Sequence, residues 1–166
     1  MFDLINGIPV HPLVVHAVVV LLPLAIVGTI AIAVVPRWRT PYGPLVVLIT
    51  LVATVLVPVA TSSGEALEKR VGDPGKHAAL GDQLIWFAIP LLILVAALVL
   101  LQRTRDLRAQ HNADAVATDS ARSTPGKPLV LGVAVLAVIA AAASGVQVYR
   151  VGDSGAKAVW SDQVKG

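Results

Sequence analysis

Four long runs without a charged side chain constrain this chain more than any other feature. They cover residues 12–35, 44–60, 84–101 and 129–148. A helix rises 1.5 Å per residue, so each run can cross a hydrocarbon core roughly 30 Å thick, the second and third with their flanks included. Because the runs are continuously apolar rather than alternating, membrane-spanning strands are excluded. The sequence therefore predicts an all-α polytopic membrane protein with four transmembrane helices.

The composition agrees with this class and excludes several others. Hydrophobic residues make up 56% of the chain and charged residues 14%, whereas soluble domains are nearer 25% charged. The surplus of 13 Lys and Arg over 10 Asp and Glu contains no basic block, so no nucleic-acid partner is expected. The absence of cysteine excludes disulfides, thiolate metal sites and covalent haem attachment. Asp3 and the long first run argue against a cleavable signal peptide.

The distribution of basic residues bears on orientation. With four spans, both termini lie on one side of the membrane, and Lys and Arg are nearly balanced between the two sides. The tight loop containing Arg37 and Arg39 favours both termini outside, because basic residues in short loops count most. The long polar connection over 102–128 is expected to be a solvated linker, with a helical extension through about residue 109.

A repeated motif follows the second and fourth runs. Residues 70–83 and 150–163 are identical at eight of fourteen positions. Each copy follows an even-numbered span, so both lie on the same side of the membrane. The simplest interpretation is a parallel internal repeat of two tandem helical hairpins, with units of about 1–83 and 84–166, within a single membrane domain.

The motif has three paired positions: Arg70 and Arg150, Gly72 and Gly152, and Asp73 and Asp153. The glycines are expected to end helices in the left-handed conformation, the aspartates to cap a following segment, and the arginines to lie in the last helical turn. In the alternative, the two aspartates form an acidic pair that faces a shared ligand.

Three histidines are predicted to lie on one side of the membrane. His11 and His16 flank the start of the first span, and His77 precedes the third. Five residues along a helix correspond to about 140°, so His11 and His16 point to different faces. His16 lies about one turn inside the span, where an ionisable group usually faces the bundle interior and marks function. The fourth, His111, belongs to the polar linker and is expected to be solvated.

These histidines leave three interpretations open. In the first they hydrogen-bond or anchor neighbouring helices. In the second they ligate a b-type haem, with His16 and His77 as the first pair, His11 as the substitute, and Trp86 and Phe87 packing against the cofactor. In the third, a transition metal takes its ligands from His11, His16, His77 and Asp73.

The opening residues 7–16, with His11, Pro12 and His16, together with the four short spans and the tail 152–160, resemble a bacterial membrane family catalogued as domain of unknown function 2231. The resemblance covers essentially the whole chain and implies a location in a bacterial inner (cell) membrane. Some members are fused to Rieske-type iron–sulfur domains, which implies proximity to quinone or haem electron transfer. Relatives often carry a histidine near the tail motif, where this chain has Asp153.

The sequence thus leads to two functional hypotheses. One is a redox module or electron-transfer subunit that binds haem b between spans 1 and 3. The other is a cofactor-free structural or accessory subunit of a homo-oligomer or larger membrane complex, supported by the small residues over 137–145. Catalysis by the chain alone is not expected. A transporter is not supported, because no span carries Asp, Glu, Lys or Arg.

Overall fold

The computed structural model describes residues 4–5, 8–72, 75–114 and 126–160. Two two-residue strands, β1 (Leu4–Ile5) and β2 (Ile8–Pro9), pair antiparallel before the first helix. The remaining elements are α1 (Val10–Val34), a 3-10 helix (Pro36–Trp38), α2 (Arg39–Val71), α3 (Lys76–Gln83), α4 (Ile85–Asp114) and α5 (Lys127–Trp160).

The four long helices form a closed bundle. Helix α1 packs against α2 and α5, and α4 packs against the same two helices, so α1 and α4 lie diagonally opposite each other. The short helix α3 lies against the ends of α2 and α5. All four long helices are long and apolar enough to cross a membrane. The predicted all-α, four-span architecture is confirmed, and two successive hairpins, α1–α2 and α4–α5, build it.

The bundle has two ends, which we name after their residues. The histidine end contains the start of α1, the end of α2, α3, the start of α4 and the end of α5, and it carries His11 and His77. The arginine end contains the 3-10 helix, the start of α2, the end of α4 and the start of α5, and it carries Arg37, Arg39 and Arg103.

Apolar side chains fill the interior and also cover the outer faces. Leu22, Val57 and Leu91 belong to a core cluster in the half towards the histidine end, and Ile32 and Leu98 belong to a second cluster nearer the arginine end. The outward faces remain apolar, with exposed large side chains at Val20, Val27, Leu45, Ile93 and Leu131. Helices that are apolar all round suit lipid on one side and protein on the other.

Arg39 closes the tight turn between α1 and α2. Its side chain is 6% exposed, and its guanidinium donates from Nε to the carbonyl of Ile32 at 2.9 Å and from Nη2 to the carbonyl of Ala33 at 2.8 Å. The last carbonyls of a helix have no partner within the helix, so these bonds satisfy groups that a low-dielectric environment would otherwise penalise. The loop arginine is therefore a structural cap as well as a topology signal.

The two copies of the repeated motif do not adopt the same structure. Helix α2 ends at Val71 and Gly72 has φ 97°, as the helix-ending interpretation predicted. Gly152 and Asp153, however, lie inside α5, so the prediction of a second helix end and cap there is wrong. Of the six positions that differ between the copies, one accounts for this: Pro74 disfavours helix at the residue before it, whereas Ser154 at the matching position permits it. Asp73 and Pro74 lie outside the described residues.

The polar connection is more helical than the sequence suggested. Helix α4 continues to Asp114, beyond the extension through about residue 109 that was expected. In this extension, Asp106 accepts hydrogen bonds from Thr40 at 2.8 Å and from Gln102 at 3.0 Å, which ties α4 to the start of α2. His111 is exposed on the same extension, as expected for a solvated residue.

The close approach of α2 to α4 yields a stability prediction. A Cβ atom added at Gly43 would lie 2.7 Å from Cγ2 of Val99, whereas one added at Gly145 meets nothing within 4 Å. We expect Gly43→Ala to lower the free energy of unfolding by about 1–3 kcal/mol through overpacking, and Gly145→Ala to leave it equal or slightly higher. Thermal unfolding in detergent, followed by circular dichroism, measures both. Equal destabilisation by the two variants would contradict the close approach.

The hydrogen bonds of Arg39 to the end of α1 yield a second stability prediction. Arg39→Gln removes a charged donor from two helix-terminal carbonyls and should cost about 2 kcal/mol. Arg37→Gln, at an exposed position of the same turn, should change the stability by less than about 0.5 kcal/mol. The same unfolding measurement compares them, and indistinguishable melting temperatures would refute the capping role.

Candidate functional site

His11 connects the first turn of α1 to α2. Its Nδ1 lies 2.9 Å from the carbonyl oxygen of Ala60 and 3.2 Å from Oγ of Ser63. The Ser63 hydroxyl also donates to the Ala60 carbonyl, at 2.9 Å. Because a carbonyl oxygen can only accept, the bond to Ala60 requires a proton on Nδ1. In the neutral ring, the lone pair is then on Nε2.

A glycine makes room for this imidazole. A Cβ atom at Gly64 would lie 3.0 Å from Cε1 of His11, tighter than ordinary van der Waals contact. Gly64 follows Ser63 directly, so one short segment of α2 supplies the carbonyl, the hydroxyl and the space that the His11 ring uses.

His77 makes the same set of contacts in the second half of the chain. From α3, its Nδ1 lies 3.1 Å from the carbonyl oxygen of Val151 and 3.5 Å from Oγ of Ser154. Ser154 donates to the Val151 carbonyl at 2.9 Å. A Cβ atom at Gly155 would lie 3.0 Å from both Cε1 and Nδ1 of His77.

The two sites are therefore copies of one local arrangement. In each, an imidazole contacts three groups on one turn of a neighbouring helix, α2 for His11 and α5 for His77. These groups are a carbonyl at position i, a serine at i+3 and a glycine at i+4. We call these the His11 contact and the His77 contact. The signal that sequence reasoning missed is the Ser-Gly dipeptide, present as Ser63–Gly64 and Ser154–Gly155. The register differs from that of the repeated motif, because Ser63 and Ser154 are 91 positions apart whereas the motif copies are 80 apart. The His77 contact groups α3 with the second hairpin rather than with the expected first unit of about 1–83.

His16 does not join the other two. Its side chain is exposed, and its Nδ1 bonds the carbonyl of Pro12 in its own helix. It lies on the outward apolar face of α1 with Leu13 and Val20. The expectation that His16 faces the bundle interior is wrong. The cause is the helical phase: with His11 directed to α2, a residue 140° further round points outward.

The proposed metal ligands are not gathered in one place. Within the described part of the chain, no group of three or more His, Cys, Asp or Glu residues is close enough to hold a metal ion. His11, His16 and His77 all belong to that part, so they do not form a three-histidine site. Asp73, the fourth candidate, lies outside the described residues.

The two candidate packing aromatics have different surroundings. Trp86 is 73% exposed and points away from the bundle. Phe87 is half-buried, and its carbonyl oxygen accepts a hydrogen bond from Ser144 at 3.3 Å. Of the two, Phe87 is the one directed towards the other helices.

The polar residues of the tail segment brace α5. Gln147, which is 1% exposed, donates to the carbonyl of Leu80 in α3 at 2.9 Å and accepts from Arg150 at 3.3 Å. Asp153 pairs with Lys157 at 2.7 Å, one turn along the same helix. The observed bonds of Arg150 and Asp153 are thus structural, and the side chain of Arg70 lies outside the description.

Several hydroxyl groups are buried in the middle of the bundle. Thr50 and Thr54 each donate to a carbonyl of their own helix at 2.7 Å. Among the described residues, Oγ1 of Thr29 is the one buried side-chain polar atom without a hydrogen-bond partner. These threonines do not hydrogen-bond one another across helices, so they do not extend the histidine contacts into the membrane interior.

Four apolar helices in a closed bundle, with polar contacts concentrated at its two ends, define a multi-pass helical membrane protein. Comparison with known protein families identifies the family. The chain belongs to the one described as "Predicted membrane protein (DUF2231)", whose model matches residues 7–166. The resemblance drawn from the His-Pro-x-x-x-His start is confirmed. No curated protein and no solved structure matches the chain.

The histidine contacts yield a third stability prediction. His11→Ala and His77→Ala each remove a half-buried side-chain bond between elements, so we expect each to lower the free energy of unfolding by about 1–2 kcal/mol. His111→Ala, at an exposed position, is the matched control and should be neutral within about 0.5 kcal/mol. Thermal unfolding in detergent distinguishes them, and a neutral result for both contact histidines would contradict their structural role.

Proposed function

We propose that this protein is a redox module of a bacterial cell membrane that binds a b-type haem at the histidine end, where Nε2 of His11 and Nε2 of His77 would hold it. The observation that carries the proposal is the duplicated histidine contact. Two imidazoles on one side of the bundle are each oriented through Nδ1 by a carbonyl and a serine of a neighbouring helix.

Such orientation is what a haem-ligating histidine requires. A bond from Nδ1–H to a carbonyl fixes the tautomer, directs Nε2 outward and increases the basicity of the ligating nitrogen. No hydrogen bond to either Nε2 is found among the described residues, and both histidines are half-buried. The chain thus offers two nitrogen ligands of matched character. Because it has no cysteine, the haem would be held without a covalent thioether link.

The preferred ligand pair changes from His16 with His77 to His11 with His77. His16 lies on the outward face of α1, whereas the other two occupy equivalent positions in the two hairpins. Phe87 is the better candidate for packing against the cofactor, since Trp86 points outward. A bound haem would supply one-electron transfer, and the carbonyl and serine of each contact would orient the imidazole.

A cofactor-free accessory subunit is the second candidate, and one observation favours it. Both histidine contacts are complete within the chain: each ring already joins two elements of its hairpin. The small residues over 137–145, which supported an accessory subunit in the sequence, give weaker support in the structure. The small residues Ala137, Ala141 and Ser144 are buried inside the bundle, where they allow close packing of α5 within the chain itself. A partner subunit would meet larger outward side chains, such as Leu131 and Ile139.

An asparagine substitution separates the two candidates. The Nδ2 amide of asparagine can donate to the carbonyl in place of histidine Nδ1, but it provides no imidazole nitrogen for iron. For the full-length protein purified from a haem-supplied membrane, we expect a Soret band. His11→Asn and His77→Asn should each lose most of this band while keeping nearly the wild-type melting temperature of the haem-free protein. His16→Asn is the matched control and should retain the band.

Two results would overturn the haem proposal. One is the absence of any Soret band in the wild-type protein, and the other is an unchanged band in the His11→Asn, His77→Asn double variant. If the wild type binds no haem and the asparagine variants are as stable as wild type while the alanine variants are not, the histidines are structural and the accessory role is favoured.

A further inference from the structure

The arginine end carries an uneven charge. Six cationic side chains are described there: Arg37, Arg39, Arg103, Arg105, Arg108 and Lys127. The described acid of that end is Asp106, which accepts hydrogen bonds from Thr40 and Gln102. Arg105 and Arg108 have interaction partners within the protein, whereas Arg37, Arg103 and Lys127 are exposed. A basic surface of this kind at a membrane boundary attracts anions.

The histidine end provides an internal comparison. Its described side chains include four cations, Lys69, Lys76, Arg150 and Lys157, and four acids, Glu65, Glu68, Asp82 and Asp153. Among the described side chains, the acids balance the cations at the histidine end, whereas the cations exceed the acids at the arginine end.

The buried cation Arg39 is fixed in place at the arginine end. Its Nε and Nη2 groups are held on the carbonyls that end α1, so the side chain cannot move away without losing both bonds. An anion bound beside Arg39 and the exposed cations interacts favourably with each of them.

Aromatic side chains place the patch at the level of lipid headgroups. Trp38 and Tyr42 are both exposed, and their rings meet edge to face with centroids 6.2 Å apart. Exposed Trp and Tyr at the end of an apolar helix are typical of the membrane–water interface. The exposed apolar side chains of Leu45 and Leu131 begin within about two turns of the cations, which is where acyl chains would lie.

We propose that the arginine end binds the phosphate headgroups of anionic phospholipids, with Arg37, Arg103 and Lys127 as exposed contacts. Their acyl chains pack on the adjoining apolar helix faces. The positive charge of the exposed side chains favours an anionic ligand. Because exposed apolar helix faces adjoin these side chains, a lipid fits the site better than a soluble phosphate. This inference does not depend on haem binding at the opposite end.

Spin-labelled phosphatidylglycerol and phosphatidylcholine, compared in bilayers that contain the full-length protein, test the proposal. Electron paramagnetic resonance gives the relative association of each lipid with the protein. We expect wild type to prefer phosphatidylglycerol, and the preference to fall as salt is raised. Each cation near an anionic headgroup strengthens binding by up to about fivefold. The triple variant Arg37→Gln, Arg103→Gln, Lys127→Gln should therefore reduce the preference several-fold, towards unity.

A matched triple variant removes the same charge from the other end. Lys69→Gln, Lys76→Gln, Lys157→Gln should leave the preference for phosphatidylglycerol unchanged. An equal loss in both triple variants would show a general effect of net charge and overturn the proposal. Displacement of the labelled lipid by inorganic phosphate, beyond the effect of sodium chloride at the same ionic strength, would overturn the choice of a lipid ligand. If the arginine-end variant does not fold, the measurement on wild type tests the proposal by itself. A wild-type preference for phosphatidylglycerol that is absent, or that does not change with salt, contradicts the proposal.

Discussion

Bonds from side chains to backbone carbonyls hold the ends of this bundle together. Arg39 caps α1, and His11, His77 and Gln147 each reach a carbonyl on another helix. Between the ends, the described contacts among helices are largely apolar packing of Leu, Val, Ile and Ala. This division follows from the bilayer, where polar groups cost least near the interface and helices satisfy their own backbones in the middle. Both candidate sites therefore lie at the ends.

The class of fold was predictable because lipid imposes a simple requirement on the sequence. Four charge-free runs of sufficient length leave few alternatives, and the structure has four such helices. Helix ends were less predictable, because α2, α4 and α5 continue well beyond their apolar runs into polar sequence. The repeated motif misled for a specific reason: identical residues around Gly72 and Gly152 have different structures, because proline follows in one copy and serine in the other.

The candidate site was predictable only in part. The sequence identified the relevant histidines but ranked them by depth in the membrane, which favoured His16. Direction mattered more than depth, and direction depends on which helix face meets a neighbour, which one sequence does not reveal. The partners of His11 and His77 were missed because a serine and a glycine are too common to be noticed without the fold. Their significance comes from occurring twice, each time opposite a histidine.

The polar bonds at the two ends differ in which helices they join. At the histidine end, the bonds of His11, His77 and Gln147 each stay within one hairpin. At the opposite end, the bond from Thr40 to Asp106 joins one hairpin to the other. Separation of the two hairpins would therefore break the Thr40–Asp106 bond while leaving the bonds of His11, His77 and Gln147 intact.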